Sequence, residues 1–218
     1  SSGAGSGGSI YINTHILEGS GSITTNGGQE ELGFGGGGAG GRVAIYYDLK
    51  DSFDGKIEAF GGIGFQTGGA GTIFLKSPLQ EYGDLIINNN NSEGITQLEE
   101  NNYIFDSLEV LNSAHFYLPE NLNVNNIEVN NAILESFVTA TIDGVQFLMT
   151  DESSLLGSDQ IFLTINTNTL SIQSTSKIIA NVNIDSENLF LDSVSSIIAD
   201  GKGYLGGEGP GAGKEART

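Results

Sequence analysis

Two glycine clusters, Gly3-Gly5-Gly8 and Gly36-Gly38-Gly41, carry the GxGxxG spacing that can cradle a dinucleotide. That chemistry needs a strand before the glycines and a helix after them, whose first N–H groups meet the phosphates. Both clusters here lead into strand-like sequence, Ser9-Ile10-Tyr11-Ile12 and Arg42 to Tyr47. Nucleotide binding is therefore not expected. The glycines suit a structural role, turning corners at positive φ and packing backbone on backbone.

Calcium is the one ion the sequence leaves room for, and no other cofactor is called for. Calcium-bound β-rolls repeat GGxGxDxUx; the nearest match, Gly61-Gly62-Ile63-Gly64-Phe65-Gln66, has Gln where the ligating Asp belongs. A looser set, Asp48, Asp51 and Asp54, spaces three carboxylates by three residues, close enough to converge in a loop. The plainer reading of that set is a solvated acidic loop.

Polysaccharide cleavage on a β-helix would need paired carboxylates and a cationic group to meet developing charge. Arginine occurs only at Arg42 and Arg217, and Asp143, Asp151 and Asp159 fall in different turn contexts. The chain is not expected to be an enzyme. His15 and His115 lie in different repeats with no acidic neighbour at ligand spacing, and each reads as an ordinary strand or turn residue. The remaining chemistry is aromatic. Tyr11 and Phe74 share one repeat position, and Tyr46-Tyr47 follow an inward-facing pair, so these four are candidates for contact with sugars or a neighbouring subunit. A second packed layer is the structural alternative. Asn90-Asn91-Ser92 is an acceptor sequon, which would place a glycan on Asn90 of a secreted eukaryotic protein.

Composition narrows the partners. With 27 acidic and 8 basic residues the net charge is −19, a field that repels nucleic acid and anionic lipid. No run of 18 apolar residues exists, so membrane insertion is not expected. Cysteine is absent, which removes disulfides, zinc thiolates and thiol catalysis together. The first residues, SSGAGSGG, open inside a glycine-rich motif, as a processed or partial polypeptide would.

The elements that would carry these residues repeat. Leu170 to Ala180 recurs nineteen residues on as Leu189 to Ala199, sharing Leu, Ser, Ser, Ile, Ile and Ala. A period so short suits one coil of a solenoid. Strand starts recur at Leu108, Ile127, Val145, Leu170 and Leu189, with a second inward position at Phe116, Leu134, Leu155, Ile178 and Ile197. Towards the front, Ile10, Val43 and Ile73 are equivalent, as are Ile23 and Ile57. Alternation of period two buries one face of each strand. Helix is hard to place; the best candidate, Leu79 to Leu85, is short and runs into Gly83-Asp84.

Glycine divides the chain: of 33, 23 fall in residues 1–83, three in 84–200 and seven in 201–218. The reading is an all-β, single-stranded parallel β-helix, taken as right-handed. Residues 1–83 form glycine-rich coils, 84–200 regular short coils continuous with them, and 201–218 a glycine-rich tail or connector. One boundary is placed near Pro78 to Gly83.

The strings GSGGSIYI, GGAGGRVAIYY, GGAGTIFLK and ADGKGYLGGEGPGAG resemble glycine-rich repeats of large secreted, adhesin-like surface proteins of bacteria and protists. The resemblance covers the front third and the tail; the middle agrees in pattern only. It implies an extracellular solenoid without assigned catalytic residues. The function expected is a structural module of an extracellular filament or adhesin, joined end to end with copies of itself through its glycine-rich termini. The alternative is a carbohydrate-binding or, further off, a carbohydrate-cleaving solenoid.

Overall fold

A computed structural model describes residues 3–30 and 34–204. Among them there is no helix, and every element is a strand. The front half holds β1 (Ser9–Gly19), β2 (Ser22–Thr24), β3 (Arg42–Phe53), β4 (Lys56–Glu58) and β5 (Thr72–Lys76). The rear half alternates long and short strands. These are β6 (Asp84–Asn88), β7 (Gly94–Gln97), β8 (Asn102–Leu111), β9 (Ala114–Tyr117), β10 (Asn121–Asn130) and β11 (Ile133–Ser136), followed by β12 (Ala140–Thr150), β13 (Ser154–Gly157), β14 (Phe162–Ile172), β15 (Lys177–Ile179), β16 (Asn181–Leu191) and β17 (Ser196–Ile198).

One nine-stranded sheet runs through the molecule in the order β1-β3-β5-β6-β8-β10-β12-β14-β16. A six-stranded sheet, β7 to β17 by odd numbers, closes the rear half, and β2-β4 closes the front. The chain is a β-solenoid, with about six turns stacked in parallel.

In the rear half, Phe116, Leu134, Leu155, Ile178 and Ile197 stack in register, as the sequence pattern requires. The other inward row is Leu85, Leu108, Ile127, Phe147, Leu170 and Leu189. Here one sequence expectation is corrected: Phe147, not Val145, occupies the stack. Val145 sits at the strand's bend and is 43% exposed. Each long strand from β8 onward also carries an earlier inward pair, such as Leu122/Val124 and Leu163/Ile165, before it bends. A coil therefore has three inward runs rather than the expected two. Corners between long and short strands use residues at positive φ: Asn90-Asn91, Asn112-Ser113, Asp151-Glu152 and Ser174-Thr175. Asn and Asp tolerate that region best, and their side chains bond across coils, as Asn112 to Asn88 and Asn130 to Asp151 do.

The front half is built differently. Glycine-rich segments stack against one another through backbone hydrogen bonds, among them Gly28 N to Gly5 O, Gly38 N to Gly28 O and Gly62 N to Gly38 O. A Cβ on Gly38 would lie 1.9 Å from Gly5 O, and one on Gly62 would lie 1.9 Å from Gly28 O. No side chain fits between these backbones. The glycines of the two GxGxxG clusters are not among those at positive φ, which among the described residues are Gly19, Gly83 and Gly201. The corner-turning half of the expectation is thus replaced: at Gly38 and Gly41 close approach, not backbone handedness, selects glycine.

Candidate functional site

The most unusual feature is the join between the halves. β5 and β6 pair antiparallel, whereas every other strand pair is parallel. Partners directly opposite share a face of the sheet. Ile73 lies opposite Ile86, and both belong to the front core with Val43, Ile45 and Leu75. Phe74 lies opposite Leu85, and both belong to the rear core with Ile87 and Leu108. The core therefore changes from one face of the sheet to the other at this point. Strand direction and core face reverse together, so the sense of winding is retained.

The reversing segment 77–83 includes Pro78 and Gly83, where the sequence shows its break. Gly83, at φ 94°, and Tyr82 donate their N–H groups to Asp106 Oδ2 at 2.7 and 2.8 Å. Those bonds, Gly83's foremost, hold the Asp106 carboxyl below its usual range. Asp84 accepts from Gln80 Nε2 and from Ser107 Oγ at 2.5 and 2.6 Å. Asn89, wholly buried, ties the halves together. It accepts from Gly61 N at 2.8 Å and donates to Gly68 O and Ser92 O. No helix forms at Leu79 to Leu85; β6 begins at Asp84.

The four aromatic candidates divide at this join. Tyr11, Tyr46 and Phe74 form a ladder on the outward face of the front strands, with ring centres 5.5 and 5.7 Å apart. The ladder continues at 6.5 Å to Phe105 in the rear core. Tyr47 is separate: it turns inward against the front core, and burial, aided by Asp84, pushes its phenol up. The rings of the ladder are tilted by 43° and 56°, so they pack on one another rather than present a coplanar row. Beside the ladder, a notch of about 390 Å³ is lined by Arg42, Glu99, Glu100 and Tyr103. Arg42 reaches Glu99 at 3.2 Å across it.

Among the described residues no three His, Asp or Glu side chains converge as metal ligands would. Asp48 pairs with His15 at 2.6 Å, Asp54 is exposed after β3, and the side chain of Asp51 lies outside the described residues. Asp143 accepts from Asn166, Asp151 from Asn130, and Asp159 pairs with Lys202, so these three serve separate coils. The histidines do find acidic partners, one coil away: His15 with Asp48 and His115 with Glu135 at 2.7 Å. Spacing along the chain hides such pairs, since the partner is 33 or 20 residues distant. Asn90 is an exposed corner residue at φ 50°.

The far end of the stack was not singled out by the sequence. Leu189 and Leu191 face inward yet are 50% and 43% exposed, whereas their partners Leu170 and Ile172 are fully buried. Beside them Phe190 and Val194 are exposed as well. At the opposite end, Tyr11 on β1 is 69% exposed. Set against known proteins, the chain matches no family model, no curated protein and no solved structure.

Proposed function

We propose that this chain is a structural module of an extracellular filament or cell-surface adhesin, assembled end to end with copies of itself. The observation that carries the reading is the open core of the last coil, where Leu189 and Leu191 lack the covering layer that buries Leu170 and Ile172. A solenoid end must be capped or paired, because it offers both apolar side chains and a row of unpaired N–H and C=O groups. The resemblance to secreted repeats and the exposed Asn90 support an extracellular setting. Residues 3–8 hydrogen-bond within their own chain, through Ala4 N to Gly36 O and Gly7 N to Ala39 O. In this reading the glycine-rich front segment is thus part of the end surface rather than a free connector.

Deleting residues 1–12 strips that surface and the first four residues of β1. Assembly is expected to disappear in electron micrographs while the rear coils keep their β circular dichroism. Filaments unchanged by the deletion would refute the proposal. A carbohydrate-binding role is the second reading, favoured by the notch at Arg42, Glu99 and Tyr103. Retention on a polysaccharide array, lost on Tyr103→Ala, would support it.

A further inference from the structure

The nine-stranded sheet already contains one join between a front strand and a rear strand, and its chemistry can be compared with the free ends. Along the rear strands, the position of Ile86 is taken successively by Glu109, Glu128, Leu148, Ser171 and finally Phe190. Along the front strands, the position of Phe74 is taken by Ala44 and then Tyr11. At the join, these two outward positions are where Ile86 packs on the front core and Phe74 on the rear core. The large outward side chains reappear at the two free ends, as Phe190 and Tyr11. Intervening coils mostly carry Glu, Ser or Ala there.

We infer that the last rear strand, β16, pairs antiparallel with β1 of a second copy, in the register of β5 with β6. Tyr11 then stands opposite Leu189 and closes the open rear core, as Phe74 does opposite Leu85. Ile10 stands opposite Phe190, as Ile73 does opposite Ile86. Strand directions permit this by simple translation along the stack, because β1 and β16 run oppositely, as β5 and β6 do. A heterologous contact of that kind does not close and gives a filament.

The glycines supply a second, independent observation. Gly38 and Gly41 are required because a Cβ on either would strike the preceding layer, at Gly5 O and Gly8 O. Gly5 and Gly8 hold the same places in the first layer, yet a Cβ on either meets nothing within 4 Å. Nothing inside one copy demands glycine there, whereas a layer stacked on that side would.

This inference rests on the structural reading above, and its test separates the two. The chain has no cysteine, so a Tyr11→Cys chain and a Leu189→Cys chain can be mixed and oxidised. Residues directly opposite in antiparallel strands bring their Cβ atoms to about 5 Å, near disulfide reach. Disulfide dimers are expected from the mixture and not from either variant alone. Dimers from one variant alone would overturn the join in favour of head-to-head pairing. Wild-type filaments without cross-links in the mixture would overturn the join and leave the structural reading standing. A monomer throughout, with position 189 covered by the chain's own residues 205–218, would overturn both. Gly8→Val gives a second readout: it should leave the melting curve unchanged and raise the concentration needed for assembly at least tenfold. Unaltered assembly by that variant would count against the stacked layer.

Discussion

The two halves of this solenoid solve the same problem with opposite materials. Rear coils fill their interior with side chains: Phe116, Leu134, Leu155 and Ile178 stack at zero exposure. Front coils keep a smaller side-chain core, with Val43, Ile45 and Ile73, and beside it press glycine backbones together until no Cβ can enter, as at Gly38 and Gly62. Side-chain packing gains from the hydrophobic effect and tolerates small losses. Backbone packing gains from hydrogen bonds and dispersion at short range, and tolerates no added atom. The difference means that truncation should injure the rear half and enlargement the front.

The largest effect should come from Phe116→Ala. It removes a ring from the fully buried stack and should cost about 4 kcal/mol, seen as a lower denaturant midpoint with hydrogen exchange quickened in β9 and β11. Next, Gly62→Ala drives a methyl into Gly28 O and should cost about 3 kcal/mol, with protection lost in the front amides first. Gly5→Ala is its control, expected within about 0.5 kcal/mol of wild type in the monomer. Equal effects at positions 5 and 62 would erase the distinction between the halves.

Asn89→Ala probes the seam. It leaves the Gly61 N–H and the Gly68 carbonyl without their partner and should cost about 2 kcal/mol. Two separate unfolding transitions should then replace a shared one. The smallest effect concerns Glu109. Burial, then Glu128 and Asp84, hold its carboxyl above the ordinary range. The folded protein thus binds that proton more readily than the unfolded chain, so the group's favourable contribution is complete below the ordinary carboxylate value. It is lost as pH rises through the raised value. Glu109→Gln should raise the melting temperature slightly at neutral pH and not at about pH 3.5; a rise at both would assign the gain to something other than charge.

Much of the fold was readable because a stacked coil writes its register into the chain. Phe116, Leu134, Leu155, Ile178 and Ile197 could be aligned by eye, as could Ile10, Val43 and Ile73. Val145 was mistaken for Phe147 because a slip of two residues preserves alternation, and only a slip of one flips faces. Tyr46 and Tyr47 look alike in sequence, yet neighbouring residues on a strand point to opposite faces. One therefore joins the ladder and the other the core. The change of core face was not readable at all: Pro78 and Gly83 mark a break, but the direction of the next strand depends on contacts such as Asn89 to Gly61, formed between coils. The exposed row at Leu189 and Leu191 was missed for a related reason, since its pattern matches that of every buried coil and only its place at the end of the stack sets it apart.

The most direct test is cryo-electron microscopy of the intact protein, with solution sizing in the presence and absence of a calcium chelator. Nine strands spaced about 4.8 Å apart give an axial repeat of about 43 Å per copy. Filaments with that repeat, unaffected by the chelator, are the expected result. A monodisperse 22.8 kDa monomer at every concentration would contradict the account.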